Sequence, residues 1–433
     1  MQFYSTQDPK HKVDLKQAVI SGMPPDGGLY MPENIPAMPE DFIDNLPGKS
    51  IQHIGYEIAK KFIPDINAKQ LRHIIEASLT FDTPLIKINN KIHTLETFHG
   101  PTLAFKDVGA RFMARLMSYL IRGEDRELNI VVATSGDTGS AVANGFYQVP
   151  GIRVFVLYPS GKISKIQEKQ IATLGKNITA LEVQGNFDDC QKLVKTALGD
   201  SQLKQKIELT TANSINIARL LPQIFYYFRA FAQIESFPKY DIIISVPSGN
   251  FGNLTAGLFA NRMGLPVKKF IAATNINKIV PEYLKTGEYN PRESIETISN
   301  AMDVGDPSNF DRILELYSHQ WTAIKKDIAG ASYTDKETRQ TIKKVVGESG
   351  YICDPHGAVG YRALEEHLEK MNDRHMGFFI ETAHPAKFKN IVEQEIGFEI
   401  EMPERLEKFL KRDKVSTKID NSYDQFKDIL LKP

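Results

Sequence analysis

Apolar positions recur along this chain with two spacings. Val108, Phe112, Leu116 and Leu120 fall four apart, with Met113 and Met117 beside them, which predicts an amphipathic helix. Elsewhere the apolar residues come in short runs. Ile130–Ala133, Val154–Leu157, Ile178–Val183, Asp241–Val246, Phe270–Ala273 and Gly377–Ile380 each read as a buried strand, and most are followed by a polar or Gly-rich loop and a helix, such as the one expected over Ile163–Leu174. Short buried strands alternating with helices predict parallel sheets covered on both faces. Residues 1–95 read as mixed turns and helices, with a tight turn at Pro24-Pro25-Asp26-Gly27-Gly28. The stretch after Pro403 is rich in balanced charge and reads as a solvated helical tail.

With 433 residues the chain has room for two or three domains and a large core. Its 53 Lys+Arg match its 53 Asp+Glu, so no excess positive charge is available for nucleic acid or an acidic membrane surface. The most apolar segment, Leu220–Phe231, is broken by Pro222, Gln223 and Arg229, and the first residues lack a signal-peptide pattern. Cys190 and Cys353 stand alone and no His/Cys spacing suits a metal, so two free thiols in the cytoplasm and no metal site are expected.

Five segments, and a weaker sixth, carry candidate chemistry. Lys106 ends His99-Gly100-Pro101-Thr102-Leu103-Ala104-Phe105-Lys106, at the N-terminal edge of the amphipathic helix, where the dipole disfavours a cation. Such a lysine can lose its proton and form a Schiff base with an aldehyde cofactor; a surface lysine beside a capping Asp107 is the plainer reading of the spacing alone. Ser135-Gly136-Asp137-Thr138-Gly139 opens another helix, and its free N–H groups suit a carboxylate or phosphate, or simply cap the helix. Ser248-Gly249-Asn250-Phe251-Gly252-Asn253 is a second anion cup, without Lys or Arg. Asn213, Asn216 and Arg219 would share one face if a helix starts there and suit an anionic substrate, or are simply an N-capped helix with a solvated Arg; Lys162 with Ser164 form a weaker set. Thr382, in Glu381-Thr382-Ala383-His384-Pro385, ends a strand where ligands of parallel sheets sit, although ordinary turn chemistry before Pro385 is the plainer reading of this segment alone. No GxGxxG or GxxxxGK[ST] occurs, which disfavours a nicotinamide dehydrogenase or an ATP-binding loop.

In this order, together with Asp26-Gly27-Gly28-Leu29-Tyr30-Met31-Pro32, these segments resemble the pyridoxal-phosphate enzymes of fold type II, and within them the threonine synthase family. The resemblance spans nearly the whole chain. It implies two parallel-sheet, three-layer α/β domains with an N-terminal extension: residues 1–100 as an N-terminal region packing in its later part on the large domain, about 101–230 as the small domain, and 231–433 as the large domain with its tail. It implies pyridoxal 5′-phosphate bound covalently to Lys106, its phosphate on Gly249, Asn250, Phe251, Gly252 and Asn253, and its ring nitrogen facing Thr382. Substrate contacts fall on Thr102, Ser135, Gly136, Asp137, Thr138, Lys162, Ser164, Asn213, Asn216 and Arg219. The implied reaction turns O-phospho-L-homoserine and water into L-threonine and phosphate, as the last step of threonine biosynthesis. The opening signature is similar to that of the bacterial and fungal enzymes, so no S-adenosylmethionine regulation is expected; the state is a monomer or a homodimer. A phospholyase making a keto acid, and a catalytically silent metabolite-binding paralogue, are the rival readings.

Overall fold

In the computed structural model, which describes residues 1–124, 126–234, 239–372 and 374–432, the expected strands pair into two parallel-rich sheets. A small antiparallel sheet comes first: β1 (Phe3–Ser5), β2 (Lys12–Val13) and β3 (Tyr30–Pro32), in the order β2-β1-β3. β4 (Leu85–Lys87) and β5 (Ile92–Glu96) follow. β6 (Leu128–Ala133), β7 (Ile152–Pro159), β8 (Ile178–Gln184) and β9 (Glu208–Thr211) come next. β10 (Asp241–Pro247), β11 (Val267–Thr274), β12 (Ile328–Ser332), β13 (His375–Glu381) and β14 (Thr417–Asp420) complete the set.

The larger sheet runs β12-β11-β10-β13-β5-β4, parallel throughout except for the β4–β5 pair. The second runs β14-β8-β7-β6-β9 and is parallel throughout. Every residue of β6 is buried, as a strand covered on both faces requires. Its one polar side chain, Asn129, donates Nδ2 to the carbonyls of Glu127 and Glu208, while its Oδ1 has no partner among the described residues. The amphipathic helix forms as Lys106–Leu120, with Val108, Phe112, Met113, Leu116 and Met117 inside.

One expectation is corrected. The chain after Pro403 is not a solvated tail. Helix Glu404–Leu410 buries Leu406, β14 pairs with β8, and helix Tyr423–Leu431 seats Phe426 and Leu430 in the core. The high charge disguised it, because β14 is an edge strand that buries only Ile419. Among the described residues no helix is long and apolar enough to cross a membrane.

Candidate active site

Three neighbouring strands of the larger sheet, β10, β13 and β5, are parallel and end at one edge. β10 delivers the loop Ser248–Asn253, β13 delivers Thr382, and β5 leads into the segment that starts helix Lys106–Leu120. Loops at the carboxyl ends of parallel strands gather on one side, which is how residues distant in sequence meet. The meeting is tied by backbone: the Phe105 N–H donates to the Thr382 carbonyl at 2.8 Å, and Ala104 bridges Ala383. Tyr226 and Tyr227, adjacent on helix Ile224–Phe231, extend the tie. The Tyr226 hydroxyl donates to the Phe105 carbonyl at 2.5 Å and the Tyr227 hydroxyl to the Asn253 carbonyl at 2.6 Å.

Lys106 is the first residue of its helix. No group among the described residues hydrogen-bonds its Nζ, which sits 4.7 Å from the centre of the Phe105 ring. Burial pulls its pKa from the usual 10.5 down to about 8, with Asp137 opposing, Lys387 and Arg219 adding to the drop, and Asp354 opposing. A lysine so placed is a nucleophile near neutral pH. In protein stripped of cofactor, Lys106 should acylate with half-maximal rate near pH 8, while exposed lysines require pH near their ordinary value. Peptide mass spectrometry across a pH series reads this; half-labelling of Lys106 above pH 10 would contradict it.

The β10 loop is built as a concave row of donors. Phe251 adopts the left-handed conformation at φ 60° and starts helix Gly252–Arg262. The backbone N–H groups of Gly249, Asn250, Phe251, Gly252 and Asn253 have no partner among the described residues. The side chains around them are committed. Asn253 Nδ2 donates to the Pro247 carbonyl, while its Oδ1 accepts from Ser248 Oγ and the Leu254 N–H. Asn250 Nδ2 donates to Ser214 Oγ at 2.6 Å and its Oδ1 accepts from the Ser308 N–H at 2.6 Å. Five open N–H groups at a helix start form an anion site needing no cation. Asn250 and Asn253 thus shape the cup through their side chains and line it through their backbones.

The second sheet faces this edge with its own. β6, β7 and β9 are adjacent, and their ends carry Ser135–Thr138, Lys162 with Ser164, and Asn213–Asn216. The N–H groups of Ser135, Asp137 and Thr138 and the hydroxyls of Ser135 and Thr138 have no partner among the described residues, so this loop is a second open cradle. Gly136, at φ 138°, lies against Gln167, where a Cβ would meet that side chain at 2.4 Å. The Asp137 carboxylate is held well below the usual range: Lys387 and Lys106 outweigh its burial.

Several expected substrate contacts are otherwise engaged. Asn216 caps helix Ile217–Leu220, and its amide donates to the carbonyls of Val19 and Thr211. It keeps no donor for a ligand, and because the helix starts only at Ile217, Asn213, Asn216 and Arg219 do not share one helical face. Asn213 Nδ2 donates to the Ala133 carbonyl and its Oδ1 accepts from Thr211. Ser164 caps helix Lys165–Ala172 through a reciprocal pair with Gln167. The Thr102 hydroxyl donates to Asp107 at 2.6 Å. Lys162 is exposed, with Glu296 3.9 Å away. Arg219 is different: buried, it spends Nη1 on the Ala212 carbonyl but leaves Nε without a partner.

Residues outside the sequence reading complete the site. Lys387 bridges Asp137 and the Thr102 carbonyl. Asp354 accepts from the Ala383 N–H and from His356 Nδ1, while His356 Nε2 accepts from the Ala301 N–H. This chain links the Thr382 segment to the wall of the cup, because Ala301 presses on Gly249. Arg312, fully buried, holds the Ile215 carbonyl, Asn309 and the Tyr30 carbonyl, which gives the opening Asp26–Pro32 signature a supporting role. Their partners lie far away in sequence, so no local spacing signals them.

A depressed lysine, a cation-free N–H cup and the Thr382 hydroxyl, which has no partner among the described residues, fit pyridoxal phosphate: aldehyde, phosphate and ring nitrogen each find a group of matching chemistry. A family model described as "Pyridoxal-phosphate dependent enzyme" matches residues 78–379, and the chain belongs to that class. Models for the threonine synthase N terminus and C-terminal region match residues 2–79 and 357–430. Threonine synthase of Haemophilus influenzae is 43% identical over 433 residues, covering 100% of each chain. The crystal structure of the Escherichia coli threonine synthase superposes with TM-score 0.93 at 41% identity, covering 100% of this chain and 99% of that one. A pyridoxal-phosphate-bound threonine synthase from Brucella melitensis gives 0.92 at 33%, covering 100% and 99%. This chain therefore belongs to the threonine synthase family of pyridoxal-phosphate-dependent lyases.

Proposed function

We propose that the chain converts O-phospho-L-homoserine and water into L-threonine and phosphate, with Lys106 as the catalytic base. The observation that carries this reading is the pair of open N–H cradles, Gly249–Asn253 and Ser135–Thr138, beside one depressed lysine. One cradle serves the cofactor phosphate. The other serves an anionic group of the substrate, its α-carboxylate.

When bound, the cofactor ring stores the electron pair released as the substrate loses protons. Lys106 Nζ removes the proton from Cα and later returns it, a role its lowered pKa suits near neutral pH. Gly249, Asn250, Phe251, Gly252 and Asn253 would hold the cofactor phosphate, and the Thr382 hydroxyl would serve the ring nitrogen. Arg219, with its free Nε, is the remaining donor for the leaving phosphate, the Ser135 and Thr138 hydroxyls stay with the carboxylate cradle, and Asn213, Asn216, Ser164 and Thr102 shape the site without binding. Water adds at Cβ. Equal yields of phosphate and L-threonine are expected; a keto acid in place of threonine would move the chain to the phospholyases.

The β14-β8-β7-β6-β9 sheet with its helices, about residues 101–230 plus the β14 strand, is proposed as a small domain closing over the large one, which limits water at the reacting carbons. Two free buried thiols suit a cytoplasmic setting.

Two substitutions test the assignments. Arg219→Ala should raise KM for O-phospho-L-homoserine by about tenfold or more, as loss of a charged donor to a dianion does; an unchanged KM removes Arg219 from the set. Thr382→Asp should raise the ratio of keto acid to threonine, because a carboxylate keeps a proton on the ring nitrogen and a hydroxyl does not. An unchanged product ratio would count against that role.

A further inference from the structure

Lys387 lies on the turn Pro385–Phe388, five residues beyond Thr382, with a fully buried side chain. Its Nζ is 2.6 Å from Asp137 Oδ1 and donates to the Thr102 carbonyl at 3.0 Å. Gln170 shares that carbonyl at 3.0 Å, and Gln167 shares Asp137 Oδ1 at 2.9 Å. One ammonium therefore joins three loops: that of Thr382, that leading to Lys106, and the Ser135–Thr138 cradle of the opposite sheet. A buried unpaired ammonium is costly, so the position is held by its partners.

We infer that Lys387 is a positioning residue for Lys106: it claims Asp137 as its own counter-ion, keeps that carboxylate from pairing with Lys106, and pins the Ser135–Thr138 cradle to the catalytic loop. The inference rests on the roles of Lys106 and the cradle proposed above. The charges that face Lys106 come from four segments. Asp137 stands at the start of its helix, Lys387 after β13, Arg219 in helix Ile217–Leu220, and Asp354 at the cap of helix Pro355–Leu368. Two cations balance two carboxylates. Removing Lys387 leaves Asp137 without its partner and the balance negative, so Lys106 holds its proton more tightly. Removing Asp137 tips the balance the other way.

The test uses the full chain without cofactor and reads acylation of Lys106 against pH by peptide mass spectrometry, so no turnover enters. Lys387→Met should move the half-labelling pH up by about one unit, roughly a fivefold loss of free amine at pH 8. Asp137→Asn should move it down. The double variant Lys387→Met/Asp137→Asn, which strands no buried charge, should return it to within about 0.3 unit of the wild type. It keeps the test open if Lys387→Met fails to fold: labelling that stays displaced in the double variant overturns the inference, as does an Asp137→Asn curve that moves up or stays put. If the shifts appear but no threonine forms from O-phospho-L-homoserine, the proposed function fails and the role of Lys387 stands.

Discussion

Lys106→Ala should abolish the visible absorbance of lysine-bound cofactor and lower turnover by about 10⁴-fold or more, since the proposed base and covalent anchor are lost together. The fold should survive. Lys106 occupies the first position of helix Lys106–Leu120, where alanine is favourable, and its Nζ has no hydrogen-bond partner among the described residues. Thermal unfolding of the cofactor-free variant should therefore track that of the cofactor-free wild type. Absorbance spectra and product assays on both proteins check the claim. Retained colour in the variant would mean that another lysine carries the cofactor.

The second large effect is expected in the cup. A Cβ on Gly249 would stand 2.4 Å from the Ala301 carbonyl oxygen and 2.9 Å from Met302 Cα. Both are backbone atoms, and Ala301 is fixed by its N–H bond to His356. The loop must move, and a row of five N–H groups loses its aim. Gly249→Ala should weaken cofactor affinity by about 100-fold, the equivalent of roughly 2.7 kcal/mol, within the usual cost of overpacking. Gly252 is the internal control: a Cβ there meets only the Asn309 side chain at 3.5 Å, and it sits in a helical first turn. Gly252→Ala should bind pyridoxal phosphate within about threefold of the wild type, a change worth well under 1 kcal/mol. Equal losses in both variants would show that the cup is not shaped by contact at Gly249.

The contrast between the two glycines shows where the sequence was readable. Two glycines in one loop could be seen to favour an anion, but only the fold says that one touches a neighbouring backbone and the other does not. The central strands were legible because both faces are buried, so β6, β7 and β10 are runs of Ile, Val and Leu. Edge strands lack that signal: β9 reads Glu-Leu-Thr-Thr and β14 Thr-Lys-Ile-Asp. β5, Ile-His-Thr-Leu-Glu, is an inner strand, but its His, Thr and Glu break the apolar run, so it carries no such signal although it leads to Lys106. In the site, the Gly249–Asn253 loop and Thr382 follow their strands directly and Lys106 opens an amphipathic helix, so all three stand at positions the local pattern marks. Lys387, Asp354, His356 and Arg312 do not. Each works through a partner brought from a distant segment, and a charged residue alone in a sequence looks like a solvated one. Asn216 shows the opposite error: an amide that looked ready for a substrate is consumed in capping a helix and in holding Val19.

The central claim, that this site forms threonine by adding water at Cβ after phosphate departs with its bridging oxygen, meets its most direct test in heavy-oxygen water. Incubation of the purified protein with pyridoxal phosphate and O-phospho-L-homoserine in H₂¹⁸O should give L-threonine carrying one ¹⁸O in its hydroxyl, with an equal amount of unlabelled phosphate. Labelled phosphate with homoserine, or a keto acid in place of threonine, would contradict the account.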